Sequence, residues 1–368
     1  MLFRRILFLL FTLLFGVNFL CLFVSVVSPY INPKYFWPPA LFGLLFKVFL
    51  TLHLLCTVVY AFIRNKKFLA ACIIGLVISI PSVANNFAFH VFNTEAYKPE
   101  DKLRLMTYNC TSFGWFKSPD YDAILQNIRT ADADVLCLQE YYKHTTKHKK
   151  ILSFLRDELG YKHYYEYTTN IIQKSKNHVG QAYFSKIPLH NFTSIPFQGK
   201  SSNGASFVDI YLSADTIRLV NVHFQSIRLS EKEYDLTQLK PLDDKPQEKK
   251  IQLFKSLDKL RTAFRKRSYQ VSLVDSVIEN SPYKVIICGD FNDTPNSYLY
   301  NKLSSSLKDT YLRTNSGVGG TFAGKLPGLR IDYILADPDI DVQKTFVLKQ
   351  KGGQHYPLIA DFNLQKPN

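Results

Sequence analysis

Between Ile6 and Val27 the chain carries no charged residue, and Arg4 and Arg5 precede this run while Pro29 and Pro33 follow it. A stretch of that length cannot be a surface element of a water-soluble domain. At about 1.5 Å per residue, roughly 20 apolar residues cross a hydrocarbon layer about 30 Å thick. A cleaved signal peptide would have an apolar core of about 7–15 residues and a small-residue cleavage site, and neither is evident. Two further apolar blocks follow. Pro39–Ile63 is interrupted by Lys47 and His53, and Phe68–Val91 is uncharged until His90 and holds Pro81, a candidate kink. The sequence therefore predicts a membrane region over residues 1–92 with about three transmembrane helices, the second the weakest candidate span because the Lys47 ammonium must snorkel or face its neighbours.

Basic residues set the expected orientation. Arg4 and Arg5 precede the first block, Arg64, Lys66 and Lys67 lie between the second and third, and only Lys34 lies between the first and second. The positive-inside rule then puts the N-terminus and the second loop in the cytoplasm, so everything after the third span is extracytoplasmic. Tyr30, Tyr35, Phe36 and Trp37 in the first loop suit the outer interface. The expected location is a cytoplasmic (inner) membrane, multi-pass, with the lipid bilayer as one partner.

The remainder has a different character. The mean hydropathy of the whole chain, −0.07, averages an oily segment with a polar one. After a linker at 93–102, residues 103–368 alternate short strand-like runs with helical patterns. The runs are 104–108, 135–139, 179–184, 207–212, 217–223, 284–288 and 331–335, and the helical patterns are 121–130, 150–159 and 252–280. Alternating strands and helices, with direct succession of strands between 207 and 223, argue for an α/β fold with a mixed sheet or a pair of sheets covered by helices. Ser230–Lys250, rich in Lys, Glu, Asp and Pro, reads as a solvated insertion. The six cysteines form no Cys-x-x-Cys pair, which leaves zinc-ribbon and thioredoxin-like readings without support and points to buried free thiols. The net charge of +15, from 45 basic and 30 acidic residues, is a field that attracts phosphates, whether of nucleic acid or of lipid headgroups. No helix-turn-helix or zinc finger accompanies it.

Chemistry-bearing residues fall at the ends of the predicted strands. Asn109 ends one, Glu140 another, His223 a third, and Asp290-Phe-Asn292 a fourth; Asp332 lies in Arg-Ile-Asp-Tyr-Ile-Leu and His355 in Gly-Gly-Gln-His-Tyr-Pro. Strand ends of such sheets form the crevice where ligands sit. Singly, each has a structural explanation as a turn residue or a semi-buried histidine. As an ordered series, Met-Thr-Tyr-Asn109, Leu-Gln-Glu140, Asn-Val-His223, Gly-Asp290-Phe-Asn292-Asp-Thr-Pro, Arg-Ile-Asp332-Tyr-Ile-Leu and His355-Tyr-Pro resemble the endonuclease/exonuclease/phosphatase superfamily over about 103–364. That group includes DNase I-like nucleases, sphingomyelinases and inositol-polyphosphate 5-phosphatases.

The resemblance implies a four-layer α/β/β/α sandwich of two mostly antiparallel mixed sheets and a phosphoester hydrolase using Mg²⁺ or Mn²⁺. It implies Asn109 and Glu140 as metal ligands, Asp332 orienting His355, His355 acting on the attacking water as base or on the phosphoryl group as a polarising acid, Asp290 positioning or deprotonating the attacking water, and His223 and Asn292 donating to the phosphoryl oxygens. Gln354 stands where the family usually has Asp in Ser-Asp-His. It keeps an oxygen and loses the charge, so a further metal ligand is weakened there. A phosphodiester substrate is implied, with nucleic acid leading as a class and a sphingomyelinase-like or phosphoinositide phosphatase-like lipid activity as the alternative. A catalytically silent phosphate-binding membrane protein is the reading from outside enzymology. No protein partner is inferable.

Overall fold

A computed structural model of the chain describes residues 2–90, 102–114, 120–143, 148–172, 177–199, 202–213, 215–227, 246–324, 328–350 and 352–364. The linker expected at 93–102 lies outside these residues except for Lys102, and so does the insertion expected at Ser230–Lys250 up to residue 245.

The N-terminal part is a helical bundle: α1 (Leu2–Val27), α2 (Pro38–Leu44), α3 (Phe46–Phe62) and α4 (Lys66–Asn86). Phe3–Tyr30 and Lys66–Asn86 are each long and apolar enough to cross a membrane. The second expected span is not one straight helix. It breaks at Leu45, where α2 and α3 meet at 65°, and makes a third crossing only if the bent pair counts as one. Lys47 follows the break, with its Nζ 5.9 Å from the Phe87 ring. Pro81 lies inside α4 without ending it. The third apolar block leaves the helix at Asn86 because Ala88–Phe89 (β1) pairs with Ser316–Gly317 (β11).

The outer face of the bundle is apolar, unlike that of a water-soluble one, and its interior mixes apolar clusters with polar side chains. Leu7, Leu10, Leu13 and Leu20 of α1 and Ile73, Ile74, Val77 and Ile80 of α4 face outward, whereas Ser25, His53, Ser79, Ser82 and Asn86 are buried. His53 Nε2 lies 3.0 Å from Cys72 O. A Cβ at Gly75 would come within 2.4 Å of that Nε2, so glycine is what allows α4 to close on α3.

The rest is a sandwich. One sheet has the order β13-β14-β2-β3-β5-β4, and the other β10-β12-β9-β8-β7-β6. In chain order the strands are β2 (Leu103–Asn109), β3 (Val135–Lys143), β4 (His163–Ile172), β5 (Asn177–Ser185), β6 (His190–Ile195), β7 (Gly204–Tyr211), β8 (Thr216–His223), β9 (Lys284–Asp290), β10 (Lys308–Asp309), β12 (Asp332–Ala336), β13 (Val342–Val347) and β14 (Leu358–Phe362). Among the described residues each sheet has one parallel pair near its centre, β2 with β3 and β8 with β9, and the other pairings are antiparallel. The strands read as continuous apolar runs because both faces are covered. Leu105, Val135, Leu219, Ile286 and Ile334 point between the sheets. Met106, Leu136 and Leu138 pack under the helix Asp120–Ala131 through Ile124 and Ile128. Val220, Ile287 and Leu335 pack under the helix Pro246–Glu279 through Val271, Val274 and Ile278. The result is the expected α/β/β/α layering. All six cysteines are free, and Cys110, Cys137 and Cys288 are buried in the sandwich.

Polar contacts seat the bundle on the sandwich. Asn296 Nδ2 donates to Ser25 O at 2.8 Å, and Asn32 Nδ2 donates to the Tyr298 hydroxyl at 3.1 Å. Arg330 Nη2 donates to Asn85 O at 2.6 Å, and His90 N to Asn315 O at 2.8 Å.

Candidate active site

Register assembles most of the site. In sheet two, His223 of β8 stands beside Asp290 of β9, and Asp290 beside Asp332 of β12, so three polar residues lie abreast on adjacent strands. In sheet one, Asn109 ends β2 beside β3. Because the central pair in each sheet is parallel, the C-terminal ends of β2, β3, β8 and β9 reach the same edge of the sandwich. Asn109 closes the gap between sheets: its Nδ2 donates to Asp290 Oδ2 at 2.9 Å, and its Oδ1 accepts from Thr111 N at 2.9 Å.

Local backbone irregularity aims the side chains. Glu140 sits at a β-bulge between Gln139 and Tyr141 with φ +48°, a conformation that costs a non-glycine residue about 1–3 kcal/mol. The bulge turns Glu140 to the site, where Oε1 lies 4.0 Å from His223 Nε2. Asn292 also has positive φ, +53°, which asparagine tolerates. Gly289, one residue before Asp290, has φ +140°, and a Cβ there would meet Val222 O at 1.9 Å. No other residue type lets β9 lie this close to β8.

His355 enters from the loop before β14. Its Nδ1 is 3.0 and 3.1 Å from the two Asp332 carboxylate oxygens, and its Nε2 is 3.8 Å from Asp290 Oδ2. Asp332 N and Ile331 N both donate to Thr321 Oγ1, while Tyr356 N donates to Thr321 O, so one threonine fixes both halves of the pair. Tyr108 OH anchors the same loop by donating to Gly352 O at 2.7 Å. Burial alone would push the His355 pKa down, but the Asp332 and Asp290 carboxylates overcome it and hold the imidazole at about 9. Burial moves Asp290 the other way, above the ordinary carboxylate value; His355 opposes this, and crowding by Asp332 adds to it.

The edge thus brings together Asn109, Glu140, His223, Asp290, Asp332 and His355. Asn292 stands beside them with one amide hydrogen committed to Phe224 O at 2.9 Å, which ties it to the segment following His223. Gln354 is engaged through its backbone, its N–H donating to Thr111 Oγ1 at 3.1 Å and its carbonyl accepting from Ala323 N, while the residue is exposed. Sequence reasoning did not find the polar layer beneath the edge. Gln139 Nε2 donates to Asn221 Oδ1 at 2.7 Å and to Thr107 Oγ1 at 3.0 Å, Gln181 Nε2 donates to Gly204 O, and Asn221 N donates to the Tyr183 hydroxyl. Its only visible signal is that Gln139 and Asn221 sit one and two residues before Glu140 and His223.

Asp290, Asp332 and His355 offer donor atoms within 4.8 Å of one another. A histidine held cationic by its own carboxylate is a poor metal ligand, so this triplet is better read as a hydrogen-bonded dyad with a neighbouring carboxylate. Glu140 with the Asn109 amide oxygen, in the field of Asp290, is a set of hard oxygen donors of the kind that suits a small divalent cation.

Residues 106–354 match the sequence profile of the Endonuclease/Exonuclease/phosphatase family. The chain belongs to that family. Residues 4–86 match a second profile, Domain of unknown function (DUF8431). No curated protein matches the chain. Among solved structures, an endonuclease/exonuclease/phosphatase from Beutenbergia cavernae is 17% identical with a TM-score of 0.51, covering 73% of this chain and 72% of its own. The human Nocturnin catalytic domain with bound sulfate anion is 19% identical with a TM-score of 0.51, covering 72% and 95%. D. rerio TDP2 complexed with a single-strand DNA product is 14% identical with a TM-score of 0.50, covering 71% and 99%. At these identities the likeness establishes the sandwich fold shared by this family of phosphoester hydrolases.

Proposed function

We propose that the chain is a membrane-anchored, divalent-metal-dependent hydrolase of phosphodiester bonds, with residues 1–92 as anchor and 103–368 as catalytic domain. The observation that carries this reading is the row His223, Asp290, Asp332 completed by the His355 imidazole on Asp332. Glu140 and Asn109 would hold Mg²⁺ or Mn²⁺, which when bound supplies positive charge to the phosphoryl and leaving oxygens.

The protein's own groups do the rest. Asp332 accepts from His355 Nδ1 and keeps the imidazole protonated, so its Nε2–H is a cationic donor for a phosphoryl oxygen. Asp290, more basic than an exposed carboxylate, accepts the proton of the attacking water, and Asn109 fixes the carboxylate that does so. His223 donates to a second phosphoryl oxygen, and Asn292 holds the chain beside it. Water attacks phosphorus in line and one P–O bond breaks, with no covalent enzyme intermediate.

The apolar outer face of the bundle supports membrane residence. Arg4, Arg5, Arg64, Lys66 and Lys67 gather at one end of the helices and the sandwich contacts lie at the other, which supports a cytoplasmic N-terminus and an extracytoplasmic catalytic domain. Purified full-length protein should hydrolyse a chromogenic bis-phosphodiester with Mg²⁺ and lose the activity with chelator. Alkaline phosphatase fused at the C-terminus should be active if the orientation holds and silent if it is reversed.

A further inference from the structure

The junction between bundle and sandwich touches the loops that carry the catalytic residues. Asn296, bonded to Ser25, lies four residues after Asn292, and Arg330, bonded to Asn85, lies two residues before Asp332. A backbone reach of at most about 3.6 Å per residue puts those catalytic positions no more than roughly 7–14 Å of chain from residues that touch the helix ends. The polar layer on each side of a hydrocarbon core is about 5–7 Å thick. A lipid phosphate resides in that layer.

Two observations fix the height and the rigidity of this arrangement. Exposed aromatics from separate segments ring the junction: Tyr30 (66% exposed), Tyr35 (81%) and Phe36 (57%) after α1, and Phe89 (67%) after α4. Tyrosine rings concentrate at the membrane–water boundary, and the exposed phenylalanines beside them suit its apolar side, so together they mark its level at the foot of the sandwich. The joint is also specific. Asn85 O is one of the terminal carbonyls of α4 that the helix cannot satisfy, and the guanidinium capping it is buried, paired with Asp309 and set over the Tyr333 ring at 5.0 Å. A loose tether would let the site turn toward soluble substrates; this joint does not.

On the reading of the chain as a phosphodiester hydrolase, we propose that its substrate is a phosphodiester lipid of the bilayer in which the chain is anchored, taken at the membrane surface. Water adds to the lipid phosphorus and passes one proton to Asp290 as one P–O ester bond breaks; the departing alkoxide takes a proton from solvent and leaves as the alcohol, and Asp290 returns its proton to solvent. Nucleic acid, the other phosphodiester that the net charge of +15 attracts, is the competing substrate that the test sets against the lipid.

The test uses the full-length protein reconstituted in phosphatidylcholine/phosphatidylglycerol vesicles with Mg²⁺ and four substrates. These are a fluorogenic long-chain phosphodiester lipid in the same vesicles, its dibutanoyl analogue in solution, single-stranded DNA, and a soluble chromogenic bis-phosphodiester. The expected result is turnover of the long-chain lipid at least tenfold faster than of its dibutanoyl analogue, falling as the lipid is diluted within the bilayer. The double variant Tyr35→Ser/Phe36→Ser should lower lipid turnover and leave the chromogenic diester unchanged. Equal rates for the long- and short-chain forms, or DNA cleaved faster than lipid, overturn the lipid assignment. Loss of all activity including the chromogenic diester overturns the hydrolase reading instead, so the two failures are distinguishable.

Discussion

Replacing Asp332 by Asn removes one negative charge, keeps the shape of the side chain, and isolates what that charge does to His355. The imidazole stands at about 9 against an ordinary value of 6.5, with burial working against the shift and Asp332 the largest contributor to it. A rise of 2.5 units corresponds to about 3 kcal/mol of preference for the imidazolium. Because Asp332 is the largest of the groups that raise the value against burial, Asp332→Asn should bring the His355 pKa down toward its ordinary value. Two readouts follow. In ¹⁵N-edited spectra of the metal-free protein, the His355 ring should titrate near 9 in the wild type and at clearly lower pH in the variant. The rate with Mg²⁺ should fall by about 10²–10⁴, the usual size of an acid–base contribution, and its alkaline limb should move to lower pH. Stability has the same sign: a pKa raised on folding contributes fully below about pH 6.5 and is lost as pH rises through 9. A His355 titration unchanged to within half a unit in Asp332→Asn would refute the reasoning.

Three further outcomes follow from the same geometry. Gly289→Ala drives a methyl into Val222 O, so unfolding in detergent should show a loss of about 2 kcal/mol or more, and a change under 0.5 kcal/mol would contradict the close approach of β8 and β9. Arg330→Met leaves Asp309 buried without its cation and Asn85 O uncapped; a destabilisation of about 3–5 kcal/mol is expected from thermal unfolding, and a neutral change would remove the rigid joint from the account. Gln354→Asp restores a carboxylate at the rim of the site and should lower the Mg²⁺ concentration for half-maximal rate severalfold, whereas an unchanged Mg²⁺ titration would mean that this position does not reach the metal.

Much of the fold is legible from the sequence because its central strands are buried on both faces and read as apolar runs. The seven runs expected from the sequence correspond to β2, β3, β5, β7, β8, β9 and β12. The four longer strands that escaped are β4, β6, β13 and β14. β4, β6 and β13 lie at sheet edges, where partly exposed positions dilute the alternation. β14 is buried but carries Asp361, an anion that makes sense in a strand only once Arg104 is seen directly opposite, bonding it at 2.6 and 2.8 Å. The polar residues gathered at the edge were legible as an ordered series of strand-end motifs that resembles the family, not one by one. The bulge at Glu140 and the Gln139–Asn221 contact were not, since each depends on a strand distant in sequence. The break at Leu45 was hidden for a similar reason: within an apolar block, composition does not distinguish a straight helix from a bent pair.

The central claim is that the assembled edge hydrolyses phosphoesters through His355 with a divalent ion present. Full-length protein in detergent, given a chromogenic bis-phosphodiester, should release product with Mg²⁺, stop with chelator and resume when Mg²⁺ is restored, and His355→Ala should lower the rate at least a hundredfold. Binding of the diester with no product at millimolar Mg²⁺, or turnover indifferent to His355→Ala, would contradict it.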